Sequence, residues 1–151
     1  MLSTDEICRN CVLPKRAFSD GEELLTEGST TGRLFVLETG RVRISRNDVE
    51  LTMVSKPGAV FGEISLLLDR PHTATVRSIG DTVCFLIEDG PAFLQERPEF
   101  HLHVSRLLAH RLAALTNYLT DLKKQFASSN DHLGMVDEVL DGIAHDHPRK
   151  L

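Results

Sequence analysis

The chain has 151 residues and a formal net charge of −5, which suits one domain with its own core, or one domain with a helical appendix. The acidic balance argues against a general nucleic-acid binder, because no dominant basic field is present to release counterions. No apolar run approaches the roughly 20 residues of a membrane span, no basic-then-apolar leader opens the chain, and an odd count of three cysteines fits reduced thiols, so a cytoplasmic location is expected.

Ser3-Thr4-Asp5-Glu6 reads as the start of a short entry helix over 3–12, acidic in its first turn and closed by Pro14. Cys8 and Cys11 lie on it at a spacing shared by metal sites and redox pairs. The third cysteine, Cys84, is remote and a fourth is missing, so two ordinary thiols are expected and no metal site. From Arg16 to Ile87 short alternating runs are separated by Asp20-Gly21, Glu27-Gly28, Thr31-Gly32, Thr39-Gly40, Asn47-Asp48, Pro57-Gly58 and Gly80-Asp81. Such punctuation predicts an antiparallel β domain, with a two-residue hairpin loop at Asn47-Asp48. Arg41, Arg43 and Arg46 form a basic stripe on that hairpin. It reads either as a solvated strand face that discourages edge pairing or as a contact for an acidic partner.

The stretch Phe61 to Val76 reads Phe-Gly-Glu-Ile-Ser-Leu-Leu-Leu-Asp-Arg-Pro-His-Thr-Ala-Thr-Val. A glycine corner followed by a short helix would present unpaired backbone N–H groups to an anion. Glu63 at the helix start suits hydroxyl donors instead, so the stretch reads as a site for a ligand carrying both a phosphate and a sugar diol. It resembles the phosphate-binding cassette of the cyclic-nucleotide-binding domains, the superfamily of catabolite activator protein, and matches it from 61 to 76 without a gap. The resemblance extends over the glycine corners and implies an α+β fold: an antiparallel, jelly-roll-like β-roll of about eight strands, with a short N-terminal helix and C-terminal helices.

The resemblance also implies the ligand, cyclic AMP or cyclic GMP, and no other cofactor. Glu63 would bind the ribose 2′-hydroxyl. Backbone amides at Gly62, Ser65 and Thr73 and the Thr73 hydroxyl would face the cyclic phosphate, with Ile64 and Ala74 in the same cassette; Val60, Phe61 and Thr75 would face the base. One position departs from the pattern: the family's phosphate-binding arginine is His72 here. Arginine is always charged and offers a planar fork, whereas neutral histidine offers one donor. Losing a charge-assisted bond of about 1.5–3 kcal/mol weakens phosphate binding by roughly one to two orders of magnitude. Arg70 is two residues away, with Pro71 restricting the backbone between them. A His72 that contacts phosphate predicts an affinity that rises as pH falls from 8 to 6.

Asp89-Gly90-Pro91 begins a short helix, with Asp89 as cap and Pro91 in the first turn. Pro98 opens a longer one. Its apolar positions Leu108, Leu112, Leu115, Leu119, Leu122 and Phe126 alternate steps of four and three, the seam of a parallel homodimer; the other reading packs this stripe onto the chain's own β domain. His101, His103 and His110 lack the i, i+4 spacing of a metal pair. Ser128-Ser129-Asn130-Asp131 breaks the helix, and Leu133, Val136, Leu140 and Ile143 form a further stripe interrupted by Gly134 and Gly142, which lower helix stability by ~1 kcal/mol each. This last segment reads as a lid over the base or as a partner contact. Three parts are expected: a β-roll over 1–98, a dimerisation helix over 99–127, and a helix with tail over 128–151.

About 24 residues follow position 127, far fewer than a winged helix-turn-helix reader uses, so no direct DNA binding is expected. No nucleophile, base and orienting group accompany Glu63, His72 and Thr73, so no catalytic residue is assigned. The expected function is a cyclic-nucleotide sensor acting through its C-terminal helices on a dimer or partner protein. The alternative is a ligand-independent dimeric adaptor whose nucleotide site has decayed at His72.

Overall fold

The alternating runs between glycine corners form one antiparallel sheet in a computed structural model, which describes residues 6, 8, 10, 12–127 and 133–145. The strands are β1 (Lys15–Phe18), β2 (Glu23–Leu25), β3 (Leu34–Arg46), β4 (Val49–Val54), β5 (Val60–Phe61) and β6 (Thr75–Ile87). They pair in the order β1-β6-β3-β4, with β2 also on β6 and β5 on β3. The described residues thus carry six strands where about eight were expected. The reason is that β3 and β6 each run 13 residues through corners that would otherwise separate two strands. Register between them shifts from Leu37 to Thr39 and again from Thr39 to Arg41. Gly40 lies at that bend with φ 91°, where a Cβ would sit 2.5 Å from the Asp81 carbonyl oxygen, so the corner turns where a side chain cannot fit.

The hairpin expected at Asn47-Asp48 is present. Arg46 pairs with Val49, and both loop residues have positive φ, 50° and 61°, the turn whose twist matches that of its strands. Inward positions of these strands bring Phe18, Leu25, Phe35, Leu37, Val42, Phe61, Val76 and Cys84 into one core. Phe18 meets Phe35 edge to face at 5.6 Å. Burying each large apolar side chain contributes about 1.5–3 kcal/mol. Burial also pushes the Cys84 thiol up to about 12, with the Glu38 charge adding to the effect, so it stays protonated and unreactive.

Four helices follow in chain order: α1 (Glu63–Leu67), α2 (Gly90–Glu96), α3 (Pro98–Gln125) and α4 (Leu133–His145). Asp89 caps α2 by accepting from the Ala92 N–H at 3.1 Å, with Pro91 in the first turn. Phe93 of α2 and Phe100 of α3 pack edge to face at 5.1 Å. Of the expected entry helix, Glu6, Cys8 and Asn10 are helical; Cys11 and the remaining masked positions, like the break at 128–131 and the tail after His145, lie outside the described residues. Cys8 is buried and in no disulfide among the described residues.

The chain divides into compact units over 1–104 and 105–151. Within the second, Lys123 of α3 is ion-paired with Asp137 of α4. Leu119, Leu122, Val136, Leu140 and Ile143 are half-buried, while Leu112, Leu115, Tyr118 and Phe126 are 48–61% exposed. No described helix is long and apolar enough to cross a membrane.

Candidate functional site

The cassette begins where β5 ends. Val60 and Phe61 pair with Val36 and Phe35 of β3, which fixes the level at which the chain leaves the sheet. Gly62 then turns it into α1 in the left-handed conformation, φ 97° and ψ −6°. A Cβ at Gly62 would stand 2.5 Å from the Arg33 carbonyl oxygen. Backbone conformation and close approach therefore both demand glycine here. The next residue, Glu63, is carried inward and is 4% exposed. Ser65, one short step along the same helix, is 8% exposed.

From α1 the chain returns through Arg70, whose N–H donates to the Ser65 carbonyl at 3.0 Å, and Pro71 into His72. The His72 N–H donates to the Ser29 carbonyl at 2.9 Å, and its own carbonyl accepts from the Gly28 N–H at 2.8 Å. Nearby, the Glu27 N–H donates to Thr75 Oγ1 at 3.0 Å. The loop between β2 and β3 is thereby stitched to the cassette at several points.

The imidazole of His72 is 4% exposed and lies between two hydroxyls, Thr31 Oγ1 at 2.8 Å from Nε2 and Ser65 Oγ at 2.9 Å from Nδ1. The hydroxyl hydrogen of Ser65 goes to the Gly62 carbonyl at 3.0 Å, so Ser65 accepts from Nδ1–H. Nε2 is then the acceptor and takes the Thr31 hydroxyl hydrogen, while Thr31 Oγ1 accepts from the Arg33 N–H at 3.2 Å. This network fits the Nδ1–H tautomer of a neutral ring and uses both ring nitrogens. Burial lowers the His72 pKa from its ordinary 6.5, so the neutral ring is favoured.

The residues singled out in the sequence are thus distributed unevenly. Gly62, Glu63, Ser65 and His72 come together, and Thr73, Ala74 and Thr75 are half-buried beside them in the chain. Ile64 is 38% exposed. Val60 and Phe61, expected to face the base, are both buried, and Phe61 belongs to the core around Phe35 and Val76. Thr31 escaped the sequence reading. A threonine in a Thr-Thr-Gly turn carries no local mark of pairing with a histidine 41 positions away.

Two neighbouring guanidiniums are placed differently. Arg33 holds Glu88 at 2.8 Å, and Arg70 is exposed. A cavity of about 250 Å³ lies elsewhere, among Leu13, Pro14, Leu86, Ile87 and Phe93, and none of its lining residues comes from the cassette. Among the described residues no three His, Cys, Asp or Glu side chains cluster closely enough to hold a metal ion.

The model of the cyclic nucleotide-binding domain matches residues 15–95, cassette included. The chain belongs to that family. The cGMP-dependent protein kinase egl-4 of Caenorhabditis elegans is 28% identical to this cyclic nucleotide-binding domain over 137 residues, 91% of this chain and 16% of the kinase. The CRP-like cAMP-activated global transcriptional regulator of Mycobacterium tuberculosis is 28% identical over 111 residues, 70% of this chain and 50% of the regulator. Among solved structures, the catabolite activator protein of Thermus thermophilus superposes with a TM-score of 0.62 at 24% identity, covering 83% of this chain and 59% of that one; it shares the fold. The chain therefore spans half or less of the length of these two curated relatives.

Proposed function

We propose that this domain binds a cyclic nucleotide, cyclic AMP or cyclic GMP, on residues 61–76 and passes its occupancy through the C-terminal helices to a dimer or a partner protein. The observation that carries the reading is Glu63, 4% exposed at the first turn of α1 in a chain of this family. An ionised carboxylate accepts at two oxygens and donates nothing, so a sugar hydroxyl suits it and a phosphate does not. In this reading the N–H groups of Gly62, Ser65 and Thr73 and the Thr73 hydroxyl face the phosphate. Ile64, His72 and Ala74 complete that wall, and Thr75 lies towards the base.

Transmission is supported by the packing of α1 on α2. A Cβ on Gly90 would collide with Leu66 Cδ1 of α1 and stand 2.8 Å from the Gly32 carbonyl oxygen; the Gly90 N–H donates to that same carbonyl at 2.8 Å. A shift of α1 on binding is therefore felt at α2, and through Phe93 and Phe100 at the start of α3. Dimerisation through α3 is supported by Leu112 and Leu115, each 48% exposed, and Tyr118, 61% exposed. The test is thermal melting with each cyclic nucleotide. Saturation at about 100 times the dissociation constant stabilises by ~2.7 kcal/mol, and no rise in Tm at millimolar ligand rejects the sensor.

One observation favours the second reading, a ligand-independent adaptor. His72 is bonded on both ring nitrogens by groups of this chain, which closes the cassette without a ligand. Under that reading the oligomeric state is the same with and without nucleotide.

A further inference from the structure

Resting on the reading that Glu63 takes a ribose hydroxyl, we infer that this site recognises the uncharged ribonucleoside and draws little affinity from the phosphate, because the side chain at the cassette's cation position is a buried imidazole whose two nitrogens are held by Thr31 and Ser65.

A phosphate entering a protein site loses strong hydration, and the loss is offset when a guanidinium meets the oxygens with charge-assisted, forked hydrogen bonds. Position 72 offers no such fork. Nδ1–H is donated to Ser65 Oγ at 2.9 Å, Nε2 accepts from Thr31 at 2.8 Å, and the residue's own N–H and carbonyl are bonded to Ser29 and Gly28. Every polar group of His72 is therefore satisfied within the chain. Turning Nε2 towards a phosphate requires breaking the Thr31 bond and either shifting the ring proton from Nδ1, which gives up its donation to Ser65, or adding a proton that burial disfavours. Other guanidiniums are placed elsewhere: Arg33 is engaged with Glu88 and Arg77 with Glu23, and Arg70 is exposed on the far side of Pro71. What remains for a phosphate is backbone N–H groups and the Thr73 hydroxyl, all neutral donors. A ribose makes the same contacts with Glu63 whether or not its 3′ and 5′ oxygens carry a phosphate. The selectivity for charged over uncharged ligand, which an arginine would supply, is thus removed while the sugar seat is kept.

Isothermal titration of the full chain with adenosine, guanosine, cyclic AMP and cyclic GMP at pH 7.5 tests this. The expected result is a nucleoside that binds as tightly as its cyclic nucleotide or within tenfold of it. In His72→Arg the ratio should move towards the cyclic nucleotide by about tenfold or more, the range of a charge-assisted bond. A cyclic nucleotide at least tenfold tighter than its nucleoside in the unmodified chain overturns the inference and leaves the sensor standing. Binding of none of the four overturns both. Should the larger arginine side chain prevent folding, judged by circular dichroism, the ratio in the unmodified chain decides alone.

Discussion

The β-roll and the helical unit bury their apolar residues to different degrees, and the difference says where each needs help. In the roll, Phe35, Leu37, Val42 and Cys84 are fully buried, and a polar group such as Thr82, 1% exposed, donates to the Arg41 carbonyl at 3.0 Å. That core is closed, although Val49, Leu51 and Met53 of β4 are 57–60% exposed at the sheet's edge. In the unit over 105–151, Leu112, Leu115, Tyr118, Met135 and Val139 are 46–70% exposed, so a stripe at helical spacing keeps apolar area in water at about 25 cal/mol per Å². The helices gain free energy from any surface that covers them.

The largest effect should come from the corner of the cassette. Gly62→Ala places a side chain at φ 97° and against the Arg33 carbonyl, and positive φ alone costs about 1–3 kcal/mol. Denaturant midpoints should fall accordingly; an unchanged midpoint would show that α1 starts differently. Next is the exposed stripe. Leu112→Asp with Leu115→Asp should convert a dimer to a monomer in light scattering and leave the far-ultraviolet helix signal in place, and a mass that does not change would remove α3 as the interface. Changes at Gly90 rank third: Gly90→Ala presses on Leu66 and on the Gly32 carbonyl oxygen and should lower both the denaturant midpoint and the ligand affinity; unchanged values in melting and titration would show that α1 and α2 are not in contact there.

The smallest effect concerns His72. Its folded pKa is lowered by burial from 6.5, so the unfolded chain binds this proton more readily than the native one. The stabilising contribution is fully present above pH 6.5 and is lost as pH falls through the lower, folded value. Subtracting the stability of His72→Gln from that of the unmodified chain should give a difference that declines from pH 7 to 5; a flat difference would place the imidazole in water.

Much of this architecture was legible in the chain as written. Asn47-Asp48 marked its hairpin because two consecutive residues that tolerate positive φ have few other uses between alternating runs. Asp89 and Pro91 marked a helix start, and the Phe-Gly-Glu pattern marked the cassette. The count of about eight strands is compatible with the six described, because glycine corners such as Gly40 bend a strand without ending its pairing.

The sequence by itself determined the family, the glycine corners and the presence of a histidine at the cation position, since each follows from local backbone chemistry or from residues adjacent in the chain. Only the tertiary structure decided what that histidine does. Its partners Thr31 and Ser65 come from opposite sides of it, one 41 positions distant, and a hydrogen bond depends on distances of a few tenths of an ångström that composition and spacing do not encode. Folding turned a seemingly available imidazole into a neutral, fully bonded part of the site.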